Sequence, residues 1–146
     1  MSFKTDNGGV ALSLKDVKIS TSHAASTWNT RLSQIANSKG ELIICTYSLP
    51  NPEYITRILD KRSNVILICH EKFRDRVMAL KNKYPDLTVH LKKDVHAKMV
   101  LLAPHTVWLS SANFGASGWF EQTIGIHDAR AYQFYREQIE RYLDIV

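Results

Sequence analysis

The chain is poor in the residues that announce several common protein classes. Only two cysteines occur in 146 residues. Cys45 and Cys69 each end an apolar, strand-like run and read as buried thiols. No cysteine–histidine cluster has ligand spacing, so neither a disulfide framework nor a metal centre is expected. No cofactor is implied either. No fully apolar run is longer than Met99–Ala103, far short of the roughly 20 residues that cross a bilayer as a helix. The start, Met1 to Gly9, is polar and lacks the apolar centre of a secretory signal. A soluble, cytoplasmic protein without a membrane partner is the expectation. With four prolines and 45% apolar residues, the chain reads as a single compact domain over residues 1–146 with a sizeable core and a flexible segment at 1–9.

Acidic residues are also scarce where basic ones gather. The formal net charge is +5. Residues 49–99 carry 11 Lys and Arg against 6 Asp and Glu, and residues 100–146 carry 3 against 5. The basic middle, with Arg57, Arg62, Arg76, Lys81, Lys92 and others, suits salt-sensitive contacts to phosphates. Many of these side chains are equally at home on a solvated helical surface.

What is present follows a regular alternation of periods. Val10–Leu14 and Val17–Ser20 read as short strands. Thr27–Ser38 reads as a helix with Trp28, Leu32, Ile35 and Ala36 at helical spacing. Glu41–Thr46 is a central strand, and Pro52 opens a helix running to about Asp60 with Tyr54, Ile55, Ile58 and Leu59 inward. Val65–Cys69 is the next strand, Lys72–Lys83 a helix, and Leu87–Leu91 a strand. From there a strand over 95–103, a Pro104-His105 turn and a strand over 106–110 make an antiparallel hairpin. A strand over Thr123–His127 and a helix over Ala129–Leu143 close the chain. The order implies a three-layer α/β/α sandwich on a mixed sheet.

Chemistry concentrates in His96-Ala97-Lys98 and Ser111-Ala112-Asn113. If Asp94–Ala103 is extended, His96 and Lys98 leave the same face about 6.6 Å apart. An imidazole, an ammonium and a carboxamide then come within reach of one phosphate. The arrangement resembles the phospholipase D superfamily, whose signature is His-x-Lys-x4-Asp followed by Gly-Ser-x-Asn. Ser111 and Asn113 match that signature. Ala103 stands where the pattern has Asp, and Ser110 where it has Gly. Asn113-Phe114-Gly115 and Ile124-Gly125-Ile126 also look like the family, its usual carboxylate falling at Thr123, or at Glu121 if the loop is shorter.

The resemblance implies the phospholipase D-like fold and a reaction in which His96 attacks phosphorus while a second histidine protonates the leaving oxygen. Lys98 and Asn113 would hold the phosphoryl oxygens, with Ser111 and Glu121 in support. Since the chain has one His-x-Lys, the second histidine implies a homodimer, as in the family's small bacterial nucleases. Nucleic acid is the expected substrate, DNA favoured over RNA. A catalytically silent nucleic-acid binder, a phospholipid hydrolase and a structural or partner-inhibiting protein are the other classes.

Other residues enter as possible substrate contacts. His70 ends a central strand and His23 precedes the first helix, and ligands of α/β sheets gather at strand carboxyl ends. Tyr47, with Thr46 and Ser48, shares that position, whereas His105 sits in the hairpin turn far from Asn113. Trp119 and Phe120 could stack on unpaired bases, close the core, or line a dimer seam. Trp108 alternates with Val107 and Leu109 and is expected to be buried.

Overall fold

The computed structural model describes residues 15–24, 28 and 31–144. The strand expected at Val10–Leu14, the flexibility expected of residues 1–9 and part of the helix expected over Thr27–Ser38 lie outside these residues. The described elements are β1 (Val17–His23), α1 (Leu32–Asn37), β2 (Leu42–Thr46), α2 (Pro52–Leu59), β3 (Val65–His70), a single 3-10 turn (Glu71–Phe73), α3 (Arg74–Lys83), β4 (Thr88–Lys92), β5 (Met99–Leu102), β6 (Thr106–Ser110), β7 (Phe120–His127) and α4 (Ala129–Asp144).

Seven strands form one sheet in the order β1-β7-β6-β5-β2-β3-β4. β2, β3 and β4 run parallel, and β5, β6, β7 and β1 join by antiparallel pairing. Both faces of the central strands are buried, which is why they read as continuous apolar runs. Period-two alternation sorts their side chains. Leu42, Ile44, Leu67, Cys69, Val100, Leu102 and Trp108 pack with α1, α2 and α3 on one face. Ile43, Cys45, Ile68, Leu101, Val107 and Ile126 pack under Ala131, Tyr132 and Ile139 of α4 on the other. This is the expected α/β/α sandwich.

Local chemistry sets the ends of the elements. Pro52 stands in the first turn of α2, where its missing N–H costs nothing. Asp128 caps α4 by accepting the Arg130 and Ala131 amides at 2.7 and 3.4 Å. Gly125 lies opposite Trp108, and a Cβ there would stand 3.2 Å from the indole, so the bare backbone gives the ring its room. Cys45 and Cys69 are both free and buried and project to opposite faces of the sheet, which keeps them from bridging.

The structure corrects one strand. The extended segment expected over 95–103 enters the ladder only at Met99–Leu102; its pairing with β2 stops at Cys45–Met99, one residue before β2 itself ends at Thr46. Residues 95–98 overhang the sheet. They are anchored by Val95, buried in the α4 core, by the Tyr142 hydroxyl on Asp94 at 2.5 Å, and by the Ser110 amide on the Lys98 carbonyl at 3.0 Å. Smaller differences lie at the ends of other elements. β1 continues to His23, β7 begins at Phe120, and the helix expected from Lys72 starts as the 3-10 turn.

Candidate functional site

One edge of the sheet collects most of the residues singled out from the sequence. There β2, β3, β4, β6 and β1 end at Thr46, His70, Lys92, Ser110 and His23, while β5 and β7 begin at Met99 and Phe120. The overhang places His96 and Lys98 on this edge with their side chains together, Lys98 Nζ lying 3.4 Å from His96 Nδ1. The two side chains therefore leave the segment on one side, as expected, although it pairs with no residue of β2. An ammonium only donates, so this contact makes Nδ1 the acceptor and leaves the ring proton on Nε2.

Asn113 is held more firmly than the sequence suggested. Its Oδ1 accepts the Tyr47 and Ser48 amides at 3.1 and 3.0 Å, which also fixes which end of the carboxamide is oxygen. The Thr46 hydroxyl stands 3.2 Å from the same oxygen, donates to the Ser48 carbonyl at 2.7 Å and accepts the Phe114 amide at 3.1 Å. The Trp28 indole N–H reaches the Asn113 carbonyl at 3.0 Å. Thr46 and Ser48, expected as substrate contacts, thus act on Asn113. The two N–H donors of its side chain are the part left to meet a ligand.

Tyr47 links two histidines. Its ring centre lies 5.3 Å from that of His96, 5.0 Å from His70 and 5.5 Å from Phe73. His70 Nδ1 accepts the Lys72 amide at 3.0 Å, so its neutral ring carries the proton on Nε2 and presents a donor there. On the other flank Ser111 Oγ donates to Glu121 at 3.1 Å and accepts the Gln122 amide at 2.9 Å. Of the two positions considered for a carboxylate, Glu121 is the one joined to Ser111. Thr123 is buried and pairs with Ser110 at 2.8 Å. Trp119 and Phe120 stand 80% and 69% exposed, with Phe120 edge-on to His23 at 6.2 Å. Trp108 is in the core.

Two expectations separate from the site. Ala103 follows β5 at the opposite edge, where its amide binds the Glu41 carbonyl at 2.9 Å. The residue in the place of the signature aspartate is therefore a full strand length from His96. Part of the basic middle is also occupied elsewhere. Arg62 donates to the Ile35 and Gly40 carbonyls, Arg76 to Leu49, and Lys81 to Pro85 and Leu87. Lys72, Lys92, Lys93 and Lys98 lie within two residues of strand ends at this edge. A cleft lined by Asp60, Lys61, Arg62, Lys83, Tyr84 and Asp86 lies at the far end of the sheet, away from the histidines of this edge.

No family model and no curated protein matches the chain. Solved structures do. Nuc from Salmonella typhimurium, a phospholipase D family member, is similar over 86% of this chain and 92% of its own, with TM-score 0.70 and 17% identity. NucT from Helicobacter pylori is similar over 86% and 95%, with TM-score 0.66 and 17% identity. TrmBL2, an archaeal chromatin protein, is similar over 89% of this chain and 52% of its own, with TM-score 0.64 and 11% identity. The fold is that of phospholipase D-like proteins. Proteins of different roles share it, so the fold does not choose the activity.

Proposed function

We propose that the protein is a metal-independent phosphodiesterase acting on nucleic acid, DNA in preference to RNA, through a phosphohistidine formed on His96. The observation that carries this reading is the adjacency of His96 and Lys98 on an open sheet edge. The loop after β2, whose Tyr47 ring meets His96, holds Asn113 with its amide donors unspent. Those groups are what an in-line displacement at a phosphate needs: a nucleophile, a fixed cation and a hydrogen-bond donor for oxygens whose charge grows in the transition state.

In the proposed reaction an imidazole nitrogen of His96 forms a P–N bond as the P–O bond to the leaving group breaks, and a second imidazole supplies the proton that the leaving oxygen takes. Water then attacks phosphorus, gives its proton to that second imidazole, and the P–N bond breaks. Attack through Nε2 requires its proton to move to Nδ1, so Lys98 must leave Nδ1. A bound phosphate draws the ammonium to itself and frees that nitrogen. The second imidazole is His96 of another copy across a two-fold axis, the arrangement a single His-x-Lys calls for. His70, beyond Tyr47, offers its Nε2–H to a phosphate oxygen. His23, Tyr47, Trp119 and Phe120 flank the path of the strand, the last two with faces open for stacking.

The position of Ala103 supports an enzyme over a silent binder, since the missing aspartate would not reach the reacting atoms. The contact of Lys98 with His96 Nδ1 favours the other reading, a phosphate-holding protein whose histidine stays unreactive. Hydrolysis of single- and double-stranded DNA in excess EDTA, with light scattering on the same sample, separates them. Cleavage by a dimer that is lost in His96→Ala is expected. No cleavage of DNA, RNA or an activated diester, with nucleic-acid binding unchanged in His96→Ala, would transfer the site to the silent reading.

A further inference from the structure

A second cluster of histidines occupies the edge of the sheet away from the candidate site. His105 lies in the turn between β5 and β6, and His127 ends β7. They are 22 residues apart in sequence, yet their Nδ1 atoms stand 3.3 Å apart, with ring centres at 5.2 Å. The Thr106 hydroxyl is 3.3 Å from His105 Nδ1 and 3.1 Å from His127 Nδ1. Three donor atoms therefore form a nearly equilateral triangle. Their supports are rigid. Thr106 pairs with His127 in the β6–β7 ladder, its side chain is buried, and the Asp128 amide ties down the His105 carbonyl at 2.8 Å.

We propose that His105, His127 and the Thr106 hydroxyl bind a divalent first-row transition metal ion such as Zn2+. Two nitrogens held at about 2.0–2.1 Å from a tetrahedral ion are separated by about 3.3–3.4 Å, and the observed separation is 3.3 Å. Imidazole is the ligand such ions favour, and both rings present the same nitrogen to one point. No group of three His, Cys, Asp or Glu placed to hold a metal ion occurs among the described residues, so the ion would keep positions for water. Asp128 adds little, because Arg130 holds its carboxylate at 3.0 Å. Lys18 and Arg31 share a neighbouring groove with Thr106 and His127, and their charge opposes a cation. A weak, micromolar site follows. The ion would join the β5–β6 turn to the end of β7, stabilising the folded chain alone.

The test uses the full chain without a histidine tag, stripped with EDTA and dialysed free of it. Zinc chloride is titrated by calorimetry and thermal unfolding, and cobalt by its visible absorption. One equivalent bound with micromolar affinity, a rising Tm and a tetrahedral cobalt spectrum are expected. His105→Ala and His127→Ala should each weaken binding at least tenfold, with His105→Gln as the conservative check on folding. His96→Ala and His70→Ala should bind zinc as the parent does. No binding, binding that survives loss of both His105 and His127, or binding lost with His96 or His70 would overturn the proposal.

Discussion

The two edges of the sheet carry the same side chain in opposite company. At one edge Tyr47 lies between His96 and His70, and Lys98 stands against His96. At the other, His105 and His127 touch each other around the Thr106 hydroxyl, while Arg130 is tied to Asp128. An imidazole beside an ammonium suits an anion, and two imidazoles that converge suit a cation. Under the two proposals, an ammonium at one edge and a second converging imidazole at the other set which charge each cluster would take.

The largest effects should come from removing one histidine at each edge in turn. His96→Ala should reduce DNA hydrolysis in EDTA by 10^3-fold or more and leave zinc binding as it was, on the order expected for removing a covalent nucleophile. His127→Ala should do the reverse. If either variant affects both readouts equally, the edges are not independent. Lys98→Ala follows in size, with a rate loss of roughly 10^2–10^3-fold and weaker binding of DNA, as for a group that meets developing charge. A rate loss with no change in binding would make Lys98 a support for His96 alone.

Asn113→Ala tests the scaffold under the edge that carries His96 and Lys98. Removing Oδ1 strands the Tyr47 and Ser48 amides, at a cost of about 2–4 kcal/mol and a fall in Tm on the order of 5–10 °C. Unchanged stability would mean that water replaces the carboxamide. Ala103→Asp should have a smaller effect. It adds a carboxylate next to the backbone of Glu41, so a slight loss of stability and no gain in rate are expected, and a rate increase would show coupling across the sheet. The smallest effect concerns the core between the edges. Burial, with the neighbouring Cys69 thiol as a second cause, raises Cys45 to about 12, and burial raises Cys69 to about 11. Neither thiol should react with a thiol reagent at pH 8 until the chain unfolds, and fast labelling of the native protein would contradict the packing.

Much of this was legible from the residues, and the limits have physical causes. Two-sided burial writes itself as runs such as Val65–Cys69, and Pro52 marks a helix start, so the parallel half of the sheet was readable. The strand expected over 95–103 exceeds the observed β5 because period two persists in extended backbone with or without a neighbour, and nothing local reveals where the pairing with β2 stops. His96 and Lys98 could be paired from spacing. The anchoring of Asn113 by the Tyr47 and Ser48 amides could not, since backbone donors carry no residue signature. The pairing of His105 with His127 was hidden for another reason: 22 residues separate them, and only the β6–β7 register brings them together.

Trapping the covalent state tests the phosphohistidine on His96 most directly. The wild-type chain is mixed with phosphate-labelled DNA in excess EDTA, quenched in alkali, where a phosphorus–nitrogen bond survives, and digested to locate the label. Label is expected on the peptide containing His96, absent in His96→Ala and unchanged in His127→Ala. Turnover without any labelled peptide, or label on another residue, would contradict that assignment.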